Sequence, residues 1–402
     1  MSEISQSLSL FDTPVPYSVW SAGDLDTATT EQMDRACRLP ISVCGAQMPD
    51  GHVGYGLPIG GVLACRDAVI PYGVGVDIGC RMKLSVIPED ASRLAGWKDK
   101  LKKVLMAETR FGVGVEFSPR HRRDHAVMED DAWDNLPPAI SRLRDKAWAQ
   151  LGTSGSGNHF VEWGELLLQE EELGLAPGNY LALLSHSGSR GLGANIAQYY
   201  TNEAIDRCPL PKEYRHLAWL NMRSDAGRGY WNAMNLAGAY ASANHDLIHR
   251  YILKAAGLSA AAQVENHHNF AWLEEHQGEQ LVVHRKGATP AGRGVLGVIP
   301  GTMGDPGFVV RGKGNAKSLN SASHGAGRRL SRKAAKASIT RHQIKSYLAE
   351  RGVELISAGV DEAPMAYKNI HEVMAAQQDL VQPIATFRPR MVLMATDGKS
   401  ED

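Results

Sequence analysis

The side chains with metal and phosphate chemistry lie between residues 77 and 324, in five short glycine-bearing blocks, so a working site requires a fold that brings them together. Gly-Val-Asp-Ile-Gly-Cys holds Asp77 and Cys80, and Gly-Ser-Gly-Asn-His-Phe-Val-Glu holds Asn158, His159 and Glu162. Ser-His-Ser-Gly-Ser-Arg-Gly holds His186 and Arg190, and Glu-Asn-His-His-Asn holds His267, His268 and Asn269. The fifth block, Ser-Ala-Ser-His-Gly-Ala-Gly-Arg, holds His324 and Arg328. A chain of 402 residues has room for two average domains or one large one. No Pro/Ser-rich linker, composition break or internal repeat divides it, and the ligands must converge, so we expect one catalytic domain spanning 1–402.

The blocks differ in chemistry. One carboxylate, one thiolate and three imidazoles suit a borderline divalent ion such as manganese, iron, cobalt or zinc. Asp77 and Cys80 are three residues apart and can face one pocket from a single turn, where the thiolate can bridge two ions. His324 sits among small residues that let a phosphate approach its ring, and Arg328, Arg329 and Arg332 follow it to hold phosphate oxygens. A histidine so placed can attack phosphorus and carry a covalent intermediate. Arg-Gly-Lys-Gly-Asn at 311–315 lacks the spacing of a Walker loop, and no helical pattern follows the glycines at 73–79, so neither nucleotide-binding motif applies.

Composition narrows the class further. The formal charge of −1 excludes wholesale electrostatic coating of nucleic acid, but basic runs at Lys98–Lys103, Arg120–Arg123 and Arg328–Lys336 allow a few phosphates to be gripped. No apolar run approaches the roughly 20 residues of a membrane span, and Met1 to Pro14 lacks the pattern of a secretory signal. Five unpatterned cysteines argue against a disulfide framework and point to a reducing, cytoplasmic setting.

Helices are predicted over 92–107, 191–206, 229–256 with Gly257 as the stop, and 338–351 with a capping serine and a stop at Gly352. Strands are predicted over 59–63, 83–87, 181–184, 280–284 and 307–311, the last three ending just before ligand- or glycine-bearing loops. Strands and helices do not alternate regularly, so an α+β fold of mixed strands and surrounding helices is expected.

Taken together, the blocks closely resemble the RtcB family of RNA-splicing ligases, over roughly Met48 to Gln377. The likeness adds Met-Pro-Asp-Gly-His at 48–52, Arg-Lys-Gly-Ala at 285–288, Pro-Gly-Thr-Met-Gly at 300–304 and Asp-Glu-Ala-Pro-Met-Ala-Tyr-Lys at 361–368. It implies an enzyme dependent on GTP and two manganese ions that joins RNA 3′-phosphate or 2′,3′-cyclic phosphate ends to 5′-hydroxyl ends, in RNA repair or tRNA splicing. It assigns His324 as the residue that becomes guanylylated. It places Asp77, Cys80 and His159 on one manganese and Cys80, His186 and His268 on the other. It lines the GTP pocket with Asn158, Glu162, Asn269, Tyr367, Gly325, Ala326 and Gly327, and sets Arg190 and Arg328 at the phosphate of the RNA end. The expected partner is RNA with broken ends, and no membrane is involved.

Three positions depart from the family pattern. Arg81 follows Cys80 where many members have glycine, putting a bulky cation at the metal loop. Tyr55 replaces a common lysine, and the usual carboxyl-terminal Lys-Gly is absent, with Lys399 as the shifted substitute. These changes suggest a divergent paralogue. Two other readings therefore stay open. One is a manganese-dependent phosphodiesterase or nucleotidyl transferase that does not seal RNA, which the altered carboxyl terminus keeps in play. The other is a non-catalytic paralogue that binds RNA ends, against which the intact ligand set and His324 argue.

Overall fold

The computed structural model describes residues 9–23 and 26–396; residues 1–8 and Lys399 lie outside the described residues. Its frame is an eight-stranded sheet with a five-stranded sheet against its active end. The larger sheet runs in the order Leu296–Ile299, Gly307–Gly312, Val381–Met394, Phe160–Leu168, Gly178–Ser187, Arg81–Asp90 and Ala262–His267, with Glu354–Ser357 parallel to Val381–Met394. The smaller sheet orders Tyr17–Val19, Ser42–His52, Ile59–Cys65, Glu279–Lys286 and Asn269–His276. With helices packed against these sheets, the fold is α+β, as the irregular order of elements predicts.

Apolar alternation explains the larger sheet. Leu181 and Leu183 face a helical layer that includes Ile248, Ile252 and Leu101, while Ala182 and Leu184 face Val298 and Val309 on the opposite side. Both faces are thus buried, and each leucine removed from water contributes about 1.5–3 kcal/mol. The helical layer is dominated by Asp225–Ala256, a 32-residue helix rich in alanine and leucine, capped by Ser224 and stopped by Gly257 at φ 68°. Its His245 and His249 sandwich the Ser185 hydroxyl at 2.7 and 2.9 Å, pinning the helix to the strand that carries His186.

Most predicted elements are present with longer ends. The helices are Arg93–Glu108 and Arg190–Arg207, and the strands extend to Ile59–Cys65, Arg81–Asp90, Gly178–Ser187, Glu279–Lys286 and Gly307–Gly312. His186 is therefore the penultimate residue of its strand and not a loop residue. The helix predicted over 338–351 is corrected to Arg341–Glu350. Thr340 caps it, with Gln343 completing a capping box, whereas Ser338 ends the preceding helix Arg332–Ser338. A β-branched hydroxyl with glutamine three residues on competes better for this helix start than a lone serine. No helix among the described residues is long and apolar enough to cross a membrane.

Candidate active site

Antiparallel pairing explains why ligands so far apart in sequence meet. Phe160 pairs with His186, His186 with Met82, and Arg81 with His267, so two strand starts and two strand ends share one edge of the larger sheet. Cys80, His159, His186 and His268 all fall on that edge. His268 is also the single residue between a strand of the larger sheet and one of the smaller, so it stands where the sheets meet.

The donor atoms converge on the Cys80 sulfur. Sγ lies 3.4 Å from His159 Nε2 and 3.1 Å from His186 Nε2, and His186 Nε2 is 3.2 Å from His268 Nε2. On the far side Asp77 Oδ2 approaches His159 Nε2 to 3.0 Å, yet this buried oxygen receives no well-directed hydrogen bond. Burial drives the His186 and His268 rings well below the usual imidazole range, which keeps them neutral, the form that binds metal. Burial alone would raise the Asp77 carboxyl, but His159 and Arg190 offset this and hold it below the ordinary carboxylate range. A buried carboxylate, a central thiol and three imidazoles with Nε2 atoms turned together make a donor set that fits divalent cations.

Arg190, expected at the RNA end, lies behind this cluster. Its guanidinium is 2.9 Å from His159 Nδ1 and 3.9 Å from Asp77 Oδ2, with the side chain only 2% exposed. Gly155 makes room for it: at φ +86° a Cβ there would sit 1.4 Å from an Arg190 nitrogen. Arg190 thus positions His159. Arg190→Ala is expected to weaken the affinity of this cluster for a divalent cation about 10–100-fold, the cost typical of losing a ligand's outer partner. Divalent-metal binding titrated in both proteins checks this: weaker binding in the variant supports positioning, while unchanged binding contradicts it.

His324 adjoins the cluster from a separate two-stranded sheet, its ring centre 4.9 Å from that of His268. It follows the short strand Ser321–Ser323, which pairs with Ala288–Pro290. Its Nδ1 is 2.7 Å from Asp50 Oδ2, and the same oxygen accepts the backbone N–H groups of His324 and Gly325 at 3.1 and 3.3 Å. Asp50 is fully buried; burial works to raise its carboxyl, but the His324 ring beside it holds it below the usual range. Gly327, at φ +72°, allows the loop to lie on this strand, since a Cβ would meet the Asp50 carbonyl oxygen at 2.1 Å.

A cavity of about 1140 Å³ opens over both groups. Asn158, Glu162, Asn269, Gly325, Ala326, Gly327, Arg328 and Tyr367, the expected nucleotide and phosphate residues, all line it. Their side chains are not equally free. Asn269 bonds its amide to the Asp77 carbonyl and the Gly287 N–H, at 3.2 and 2.8 Å, so it braces the metal loop. Arg328 donates to Glu362 and the Tyr367 hydroxyl at 3.2 and 3.1 Å and lies 5.0 Å from the Tyr367 ring centre, so it is held in the wall. Glu162 is buried, and that burial pushes its carboxyl well above the usual range, leaving it ready to gain from a polar ligand.

Three residues without an assigned role belong to the site. Asp50 holds the His324 ring. Lys286 lines the cavity, donates to the Tyr55 carbonyl, and is pushed by burial down to about 7. Lys368 reaches back to the carbonyls of Pro49 and Gly51, at 3.1 and 2.6 Å, and ties down the Asp50 loop. Each sits in a short block that carried the family resemblance, which was its only signal in the sequence. The departures are also clearer. Arg81 donates its Nε to the Gly79 carbonyl of the metal loop at 3.2 Å and its other nitrogens to Glu265 and the Gly238 carbonyl, so its cation ties that loop to the long helix. The Tyr55 ring is exposed, edge-on to Tyr72 and His216 at 6.2 and 5.9 Å between centres.

A buried thiol–imidazole cluster that could hold a metal ion thus lies beside a histidine held by a carboxylate. Residues 32–395 match the family described as tRNA-splicing ligase RtcB. RNA-splicing ligase RtcB of Escherichia coli K12 is 33% identical, covering 93% of this chain and 96% of its own length. The tRNA-splicing ligase RtcB of Thermococcus kodakarensis is 31% identical over 90% of both chains, and RNA-splicing ligase RtcB of Mycobacterium bovis 31% over 85% of this chain and 94% of its own. The chain belongs to the RtcB family.

Proposed function

We propose that this protein is an RNA ligase that joins 3′-phosphate or 2′,3′-cyclic phosphate ends to 5′-hydroxyl ends, using GTP and two manganese ions, and that residues 1–402 act as one catalytic domain. The observation that carries the reading is the His324–Asp50 pair. A carboxylate holding Nδ1 fixes the tautomer and leaves Nε2 as the nucleophile toward the cavity, beside a cluster suited to cations.

In the first step His324 Nε2 bonds to the α-phosphorus of GTP, and the bond to pyrophosphate breaks. An oxygen of the RNA 3′-phosphate attacks that phosphorus, histidine leaves, and guanylate caps the RNA end. The 5′-hydroxyl oxygen attacks the 3′-phosphorus, GMP leaves, and the hydroxyl proton passes to water. A cyclic phosphate is first opened by water. Asp50 keeps Nδ1 bonded throughout, so the ring neither turns nor changes tautomer between attack and departure. Asp77, Cys80 and His159 would hold one cation and Cys80, His186 and His268 the second. Bound there, the cations would supply charge neutralisation for crowded phosphates. Glu162, Tyr367 and Asn158 would contact the guanylate from the cavity wall. A cytoplasmic role in RNA repair or tRNA splicing suits the five free cysteines.

The test is sealing of defined RNA halves with GTP and manganese. Joining of 3′-phosphate or cyclic ends to 5′-hydroxyl ends, and none of 3′-hydroxyl to 5′-phosphate ends, supports the reading. Opening of the cyclic phosphate without joining would identify a phosphodiesterase instead.

A further inference from the structure

A second cavity, of about 680 Å³, adjoins the catalytic one and shares Asp305, Arg329, Tyr367 and Lys368 with it. Four arginines enter its lining, Arg329, Arg351, Arg388 and Arg390, with Lys368 and His371, against one acid, Asp305. They come from separate parts of the fold. Arg329 follows the His324 loop, Arg351 follows the helix Arg341–Glu350, and Arg388 and Arg390 lie on the strand Val381–Met394.

Their commitments differ. Arg390 is held bidentate by Glu165 at 2.9 and 3.1 Å, so its position is preset. Arg351 lies 3.5 Å from the centre of the Tyr347 ring and 3.7 Å from Asp305, and Asp305 itself accepts the Tyr347 hydroxyl at 2.6 Å. Arg329 and Arg388 are exposed and have no acidic partner among the described residues. Two uncommitted guanidiniums, a preset third and a stacked fourth leave a surplus of positive charge in a concave surface. The first of them also lines the catalytic cavity. Guanidinium donors in a groove match the repeated phosphates of a nucleic-acid strand, and the groove meets the catalytic cavity at Arg329.

We infer that this groove holds the sugar–phosphate backbone of the RNA strand whose end lies in the catalytic cavity, a proposal that rests on the RNA ligase reading. The groove binds a few nucleotides back from the break and is indifferent to base sequence, and its Arg388 end adds nothing to guanylylation because it lies outside the cavity assigned to GTP. It makes long ends better substrates than very short ones.

Arg388 tests this, since it is exposed and outside the catalytic lining. Full-length wild type and Arg388→Glu are compared, with manganese, on a long and a very short 3′-phosphorylated single-stranded RNA. Labelling by α-labelled GTP is expected to be unchanged. KM for the long RNA is expected to rise about tenfold at moderate salt, and its salt dependence to flatten by roughly 0.7 in the log–log slope for each phosphate no longer neutralised. KM for the short RNA stays as in wild type, and Arg388→Lys retains most of the affinity for long RNA. Equal KM and equal salt slope for wild type and Arg388→Glu on the long RNA overturn the groove, as does an equal loss on both lengths. Should wild type take no guanylate, the ligase reading fails on that result alone. The groove is then judged by direct binding of the long RNA to both proteins, where equal affinity overturns it. Loss of polyglutamate binding with RNA binding intact also overturns it and marks a site for an acidic protein.

Discussion

Cys80→Ala is expected to abolish sealing and to strip the protein of bound manganese while leaving it folded. The Cys80 sulfur is the one donor close to both His159 and His186, at 3.4 and 3.1 Å, so its removal takes a ligand from each proposed ion at once. No other cysteine joins the donor cluster among the described residues. Losing only an outer partner of a ligand costs about 10–100-fold, so loss of a shared ligand exceeds about 100-fold. Removing one buried sulfur costs the fold little, about 1 kcal/mol. Metal content after dialysis, activity and a thermal melt together check this. Full activity with normal metal content would sink the shared-thiolate arrangement.

Asp50→Asn carries the second large effect. Asp50 Oδ2 accepts from His324 Nδ1 and two backbone N–H groups while Oδ1 has no partner, so an amide can keep its oxygen at the Oδ2 position but brings no negative charge to the ring. The ring then loses its charged partner, and guanylylation is expected to fall by about a thousandfold or more, in line with the loss of the orienting carboxylate in a catalytic triad. Breaking a buried pair also destabilises by about 3 kcal/mol. The pH dependence has a definite sign. The Asp50 carboxyl is held below its unfolded value, so its stabilisation is fully present above the ordinary carboxylate range and is lost as pH falls through the folded value. Guanylylation rate and melting temperature, each measured from neutral to acid pH in wild type and Asp50→Asn, check both parts. A rate within about tenfold of wild type would leave His324 oriented by something else.

The chemistry of the site was more legible than its scaffolding. Asp77, Cys80, His159, His186 and His268 could be picked out because unusual residue types recur in glycine-bearing blocks, and the structure gathers them on one sheet edge. Asp50 and Lys368 could not. An aspartate between proline and glycine reads as a turn former, and only the pairing of distant strands shows that it lies under His324. Arg81 was half legible: sequence places its cation at the metal loop, where it donates to the Gly79 carbonyl, but its partner Glu265 comes from a distant strand. Ser338 misled because a capping residue and a helix-ending serine look alike without the hydrogen bonds. Of the basic groove only Arg329 stood in a run visible in the sequence, since Arg351, Arg388 and Arg390 join it from other parts of the chain. Strand order in the smaller sheet, where Ile59–Cys65 lies beside Glu279–Lys286, is likewise set by long-range packing that no local pattern encodes.

The most direct test of the account is covalent labelling. Wild type and His324→Ala are incubated with α-labelled GTP and manganese and resolved under denaturing conditions. The account predicts label on wild type, acid-labile as a phosphorus–nitrogen bond should be, and none on His324→Ala. Equal label on both proteins, or none on a manganese-loaded wild type, would contradict it.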